Sequence, residues 1–136
     1  MYEVKGKSNG HNVLYVIQDS AASSLKEAVD MAEGMGMEEV FAVYLTKYRE
    51  LFYDRSQSAD DNTTRQWYSV TASEIVVDDK KVDPETQQPK TKENKFTFLL
   101  SAVSLDHANE RADEEIVSAY GFQKRAIKAV KVDQVL

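Results

Sequence analysis

Histidine is the side chain that most often serves as a general base, and this chain has two, His11 and His107. His11 follows Asn9-Gly10, a pair typical of tight hairpin turns. His107 lies in the first turn of a predicted helix, beside other polar residues. Both settings are typical of solvated side chains, and the absence of cysteine excludes a thiol nucleophile. We therefore predict a protein that is not an enzyme and has no catalytic residue.

Carboxylates that could bind a metal ion occur in two short runs, Asp60-Asp61-Asn62 and Asp78-Asp79. Calcium loops need alternating oxygen ligands, a central glycine and a terminal glutamate, and neither run continues in that way. The glycines of Gly34-Met35-Gly36 follow a predicted helix rather than precede it, which is the wrong end for binding a phosphate group. We expect no metal site and no cofactor.

Aromatic rings and cations form the one constellation with a recognisable binding chemistry. Tyr48 and Phe52 fall on one side of an extended strand by period two, and Trp67 lies nearby in sequence. Rings of this kind can stack on bases, while a cationic last strand can contact phosphates. The candidate binding residues are Tyr48, Phe52, Trp67, Lys124, Arg125, Lys128 and Lys131. Core packing of the rings and a solvated strand face for the cations are the simpler interpretations.

The N-terminal half of the sequence predicts two strands, a helix and a third strand. Asn9-Gly10 predicts a hairpin between two short strands, the second of which is the apolar run Val13 to Ile17. Ser24 and Glu27 have the spacing of a capping box, so a helix should begin there and end near Gly34. The charge-free run from Val40 to Leu45 predicts a buried strand that continues into the segment "TKYRELFY".

The C-terminal half presents the same order of elements: "YSV", "FTFLL", "SLDHANERAD" and "IKAVKVDQVL". Ser104 is its candidate N-cap and Gly121 its candidate helix stop. The apolar stripe of this second helix comprises Leu105, Ala108, Ala112, Ile116 and Ala119. We interpret the chain as a duplicated strand-strand-helix-strand unit, with repeats at residues 1–53 and 67–136.

The predicted fold class is α+β, with one mainly antiparallel sheet and both helices on one face, because right-handed crossovers place them there. This is a ferredoxin-like sandwich with an extra strand in each half, and the alternative is a β-rich barrel carrying two helices. Residues 54–66 are predicted to be a polar connector and residues 78–95, with both prolines, a mobile hairpin loop.

Length and composition bound the remaining possibilities. A chain of 136 residues fits a single domain, spanning residues 1–136. It has a formal charge of −6, so any nucleic-acid role needs a local basic patch. Neither a signal-peptide pattern nor an apolar run long enough to cross a bilayer is present. We expect a cytoplasmic protein that does not bind membranes.

The opening "MYEVKGK", the second opening "WYSVTASEI", the segment "FLLSAVSLDHANERADEEI" and the ending "IKAVKVDQVL" also carry a resemblance. In order and composition they resemble a family of small uncharacterised bacterial and phage proteins classed as a domain of unknown function. The resemblance covers most of the chain without an invariant motif. It implies a bacterial or phage origin and carries over no catalytic residue.

Two functions remain open at this point. The leading hypothesis is a non-enzymatic binding or accessory module that assembles with itself or with another protein through a sheet edge or an open sheet face. The alternative is a single-stranded nucleic-acid binding protein that uses the candidate rings and cations.

Overall fold

The computed structural model of the protein describes residues 1–53 and 66–136 and shows an α+β fold. The elements are β1 (Tyr2–Ser8), β2 (His11–Ile17), α1 (Leu25–Gly34), β3 (Glu39–Leu45), β4 (Tyr48–Phe52), β5 (Gln66–Val82), β6 (Pro89–Ala102), α2 (Leu105–Ala112), a π-helical segment (Asp113–Ser118), β7 (Gln123–Val130) and β8 (Gln134–Val135). Each half of the chain therefore has the predicted order strand, strand, helix, strand. A duplicated origin and a likeness to a ferredoxin-like sandwich stay predictions.

The described strands form two four-stranded sheets, and the expectation of one sheet is wrong. The first sheet has the order β3-β1-β2-β8 and the second the order β4-β6-β5-β7. β1 runs antiparallel to both β2 and β3, whereas β8 runs parallel to β2. β4 follows β3 in the chain but pairs in the second sheet, and β8 follows β7 but pairs in the first sheet. The fold consequently has one helix per sheet rather than two helices on one face.

The break between the sheets falls inside a run that the sequence predicts to be continuous. β3 ends at Leu45 and β4 begins at Tyr48. The backbone N–H of Thr46 donates to the carbonyl oxygen of Met1 at 3.0 Å, and the N–H of Tyr48 donates to the Thr46 hydroxyl at 3.2 Å. Because these bonds turn the chain at Thr46, the aromatic strand that follows pairs in the second sheet.

The chain divides into two compact units. The first unit comprises Met1–Tyr48 with Val130–Leu136, and the second comprises Arg49–Ala129. The core of the first unit lies between its sheet and α1. It contains Val4, Tyr15, Ile17, Ala22, Ala28, Ala32 and Met37.

The hairpin turn of the first unit and the serine cap of its helix are as predicted, whereas the glutamate half of the capping box is not. Asn9 and Gly10 adopt positive φ angles of 51° and 78° between the paired strands β1 and β2. The Ser24 hydroxyl accepts from the N–H of Glu27 at 3.1 Å and caps α1. The Glu27 carboxylate accepts from the N–H and hydroxyl of Ser23 rather than from Ser24. These hydrogen bonds to Ser23 hold the pKa of Glu27 below its ordinary value.

The core of the second unit lies between its sheet and α2. It contains Tyr68, Val70, Ala72, Phe98, Leu100, Ala102, Ala108, Ala112, Ile116 and Phe122. Ser104 caps α2 by accepting from the N–H of His107, as predicted. The predicted stripe is wrong at both ends, because Leu105 and Ala119 are exposed. For Ala119 the reason is the π-helical segment Asp113–Ser118, because its wider turns shift the residues that follow it out of the α-helical stripe.

The segment predicted as a loop at residues 78–95 is instead the outer part of a long β-hairpin. β5 and β6 stay paired from Gln66–Ala102 out to Asp78–Lys90 and Val82–Pro89. Only residues 83–88 form the turn, where the N–H of Asp83 donates to the Gln88 carbonyl at 2.9 Å. Of the predicted connector 54–66, residues 54–65 lie outside the described residues and Gln66 begins β5. No described helix is long and apolar enough to cross a membrane.

Candidate binding surfaces

The outer part of the β5–β6 hairpin, residues 74–95, carries the largest group of exposed aliphatic side chains on neighbouring residues. We call it the hairpin arm. Ile75 is 51% exposed and Val77 is 54% exposed, and Val76 and Val82 are also exposed. Strand alternation places Ile75 and Val77 on one face of the arm and Val76 on the other. Both faces of the arm therefore present apolar surface.

Each hairpin strand is longer than its outer neighbour in the second sheet. β5 has 17 residues and its neighbour β7 has 8, while β6 has 14 residues and its neighbour β4 has 5. Roughly half of each long strand thus has no neighbour on its outer side among the described strands. Unpaired strand edges of this kind are templates for pairing with another chain.

The arm carries both signs of charge in nearly equal number. Its lysines are Lys80, Lys81, Lys90, Lys92 and Lys95, and its acidic residues are Glu74, Asp78, Asp79, Asp83, Glu85 and Glu93. In the strand register Ile75 lies opposite Glu93, and Val76 lies opposite Lys92. Aliphatic and charged residues are therefore interleaved, and the arm does not have the basic character of a phosphate-binding element.

The three rings singled out from the sequence are mostly packed inside the protein. Tyr48 is 8% exposed and Trp67 is 9% exposed. Trp67 contacts Tyr53 with their ring centroids 5.5 Å apart, and half-buried Phe52 packs on Phe98 at 6.1 Å. Phe52 packs against the helix-covered core, whereas Trp67 precedes the core residue Tyr68 and so points to the opposite face of β5. Phe52 and Trp67 do not form a shared stacking surface.

The four candidate cations are divided between the two units, and two of them already contact carboxylates. Lys124 Nζ lies 2.8 Å from Asp113 Oδ1, and Arg125 Nε lies 3.0 Å from Glu93 Oε1. Lys128 is exposed on β7, on the same side as Lys124 and opposite to Arg125 by strand alternation. Lys131 belongs to the first unit, where its ammonium donates to the Asn12 carbonyl at 3.0 Å.

Arg125 takes part in a small polar cluster with Ser73 and Glu93. Arg125 Nε donates to the buried Ser73 hydroxyl at 2.8 Å as well as to Glu93. The hydrogen bond from Ser73 is the main reason that the pKa of Glu93 lies below its ordinary value, with the charges of Arg125 and Lys95 adding to it. The cluster joins β7 to the hairpin at the base of the arm.

The two histidines lie at a hairpin turn and in the first turn of a helix. His11 is exposed at the β1–β2 turn, and His107 Nδ1 accepts from the N–H of Val103. Gly6-Lys7-Ser8-Asn9-Gly10 has the G-x-S-x-G spacing of a hydrolase nucleophile, which the sequence reasoning overlooked. That motif requires a strand-to-helix turn, whereas Ser8 ends a hairpin strand and donates to the Gly36 carbonyl at 2.8 Å. Within the described residues no three metal-ligating side chains group together.

Two further features went unnoticed in the sequence. The Arg49 guanidinium lies over Phe96, Tyr120 and Phe122 at 4.4, 5.2 and 5.5 Å from the ring centroids. A cavity of about 250 Å³ on the first sheet is lined by Lys5, Asn12, Leu14, Phe41, Lys131 and Asp133, among others. The charge-free run around Phe41 predicted a buried strand, yet β3 is an edge strand with Phe41 exposed. β3 lies at the edge because it pairs with β1, and the local sequence pattern does not predict that pairing.

Comparisons with protein-family models, with curated proteins and with solved structures found no match to this chain.

Proposed function

We propose that this chain is a non-enzymatic assembly module whose hairpin arm binds a second copy of the same chain. The observation that carries the proposal is the exposure of four aliphatic side chains, Ile75, Val76, Val77 and Val82, on a hairpin whose two strands are longer than their described neighbours. Monomeric proteins seldom leave such apolar surface on a strand with unpaired backbone groups. The bacterial or phage origin and the cytoplasmic location expected from the sequence belong to the same proposal.

A second copy is the favoured occupant because the arm is complementary to itself. Its charges nearly balance, so two arms can approach without the like-charge repulsion that a uniformly acidic or basic arm would meet. A twofold interface also brings the same apolar patch from both chains together. With about 3.3 Å per residue, the nine residues from Glu74 to Val82 offer an edge about 30 Å long.

Sedimentation velocity over protein concentrations from about 1 μM to about 1 mM tests this proposal, since that range spans moderate and weak dissociation constants. We expect reversible dimers. The double variant Ile75→Ser, Val77→Ser removes the two aliphatic side chains from one face of the arm. Burial of each is worth about 1.5 kcal/mol or more, so the dissociation constant should rise at least about tenfold.

Leu25→Ser is the matched control, because Leu25 is similarly exposed but lies on α1 of the first unit. It should leave the dissociation constant unchanged. A strict monomer across the range, or an equal effect of the control, contradicts the proposal. Recovery of a stoichiometric complex with a different protein, lost in the double variant, would reassign the arm to that partner.

A further inference from the structure

The cavity on the first sheet lies on the face opposite α1. Lys5 and Leu14 form a cross-strand pair, and their neighbours Val4 and Tyr15 point into the core beneath α1. Strand alternation therefore directs Lys5 and Leu14 to the other face, where they line the cavity together with Phe41. Phe41 is 52% exposed, and the Lys7 ammonium lies over its ring at 5.9 Å from the centroid.

One wall of the cavity is held in place by the C-terminal segment. The N–H of Asp133 donates to the Leu14 carbonyl, and the N–H of Leu14 donates to Asp133 Oδ2, both at 2.8 Å. Lys131 Nζ donates to the Asn12 carbonyl at 3.0 Å and lies 4.0 Å from Asp133 Oδ1. These bonds fix the Lys131 ammonium at the rim, and one of its three hydrogens is used by Asn12.

The charges around the cavity favour an anion. Lys5 forms no ion pair within residues 1–53 and 66–136, but its ammonium lies 5.5 Å from the centroid of the Tyr44 ring and hydrogen-bonds the Tyr44 hydroxyl, which Glu3 also contacts. The single lining carboxylate, Asp133, is already engaged by the Leu14 N–H and by Lys131. The rim thus has an excess of positive charge, while Phe41 and Leu14 supply apolar walls.

We propose that this cavity binds a small aromatic carboxylate, with the ring against Phe41 and Leu14 and the carboxylate at the Lys5 and Lys131 ammonium groups. A ring packed on Phe41 gains apolar contact, and hydrogen bonds from an ammonium to a carboxylate are stronger than those between neutral groups. A volume of about 250 Å³ lies just below the usual range for ligand sites. It suits a molecule of one or two rings rather than a nucleotide or a peptide.

Isothermal titration with 2-naphthoate and with its neutral analogue 2-naphthalenemethanol tests the site. The two probes share the ring system and differ in charge. The carboxylate should bind with about a tenfold lower dissociation constant than the alcohol, and added salt should reduce that difference. Lys5→Met and Lys131→Met should each reduce the difference between the dissociation constants of the two probes. Phe41→Ala should raise both dissociation constants.

Lys26→Met is the control, because Lys26 is exposed on α1 of the same unit and does not line the cavity. It should leave the preference for the carboxylate unchanged. A readout that needs no variant is the backbone amide NMR spectrum of the wild-type protein, in which 2-naphthoate should shift Leu14, Phe41 and Asp133. Equal affinities for the two probes, shifts confined to other residues, or no saturation below about 10 mM would overturn the proposal.

Discussion

The Nδ1 atom of His107 accepts a hydrogen bond from the backbone N–H of Val103 at 3.2 Å. Val103 lies in the link between β6 and α2, so the half-buried imidazole ties the start of the helix to the end of the strand. An imidazole that serves a backbone donor in this way has a structural use.

His107→Ala should therefore lower the free energy of unfolding by about 1 kcal/mol, because the Val103 N–H loses its partner. Chemical denaturation measures the change. His11→Ala is the matched control, and since His11 is exposed at a turn its effect should stay within about 0.5 kcal/mol. Equal stabilities of the two variants would contradict the structural role, as would an enzymatic activity that disappears with His107→Ala.

Gly6 occupies a position in β1 where no larger side chain fits. A Cβ atom there would overlap the carbonyl oxygen of Glu39 and lie 2.5 Å from the sulfur of Met37. Gly6→Ala should consequently destabilise the protein by about 1–3 kcal/mol, the usual cost of overpacking.

Gly34→Ala serves as the comparison for Gly6, because a Cβ at Gly34 meets nothing within 4 Å and the residue ends α1 without a positive φ. Gly34→Ala should stabilise the protein by about 0.4–1 kcal/mol, because alanine lowers the conformational entropy of the unfolded chain. Thermal unfolding of both variants measures the contrast. Tolerance of Gly6→Ala would show that β1 and β3 do not approach as closely as described.

The hydrogen bond from Ser73 predicts a pH dependence at Glu93. A pKa below the ordinary value of 4.5 means that the folded protein favours the carboxylate. Its stabilising contribution is present above the unfolded pKa and is lost as the pH falls through the folded pKa, where protonation removes the acceptor for Ser73 and Arg125.

Ser73→Ala should raise the pKa of Glu93 towards 4.5, as measured by carboxyl ¹³C NMR titration. Ser69→Ala is the control, because Ser69 is also buried on β5 and lies on the same face by strand alternation. It should leave the Glu93 titration unchanged. An unaltered Glu93 pKa in Ser73→Ala would assign the shift to the nearby cations instead.

Single-stranded nucleic acid is the alternative ligand that the sequence raised, and we expect weak binding at most. Phe52 and Trp67 are packed on opposite faces of their sheet, and Lys124 and Arg125 already contact carboxylates. A labelled oligonucleotide titrated at low salt should therefore show no binding that Trp67→Ala weakens. Two results together would contradict this expectation. Trp67→Ala would lower the affinity without changing its dependence on salt concentration, and the Lys128→Ala, Lys131→Ala double variant would make that dependence weaker.

Features that depend on residues within three or four positions could be predicted from the sequence. The hairpin turn at Asn9-Gly10 and the helix caps at Ser24 and Ser104 are confirmed. Each depends on a local requirement, either a positive φ angle or an acceptor for a first-turn N–H. The order of elements in each half followed from the same signals.

The loop predicted from composition at residues 78–95 is wrong, because strand propensity depends strongly on context. Prolines and charges between residues 78 and 95 predicted a loop, yet the register established between Trp67 and Ser101 continues outward to Asp78 and Lys90. Extending an existing ladder needs only that each next residue tolerate the pleated conformation, and charged residues do so when both faces are exposed.

Which aromatic rings and cations are exposed could not be predicted from local sequence patterns. Apolar and aromatic residue types indicated where rings occur, but the pairing of each strand decided that Trp67 is buried and that Phe41 is exposed. The hydrogen bonds at Thr46 assigned β3 and β4 to different sheets, although their sequence reads as one run. Strand neighbours are chosen by contacts between residues distant in sequence, so the tertiary structure alone determined which rings and cations face solvent.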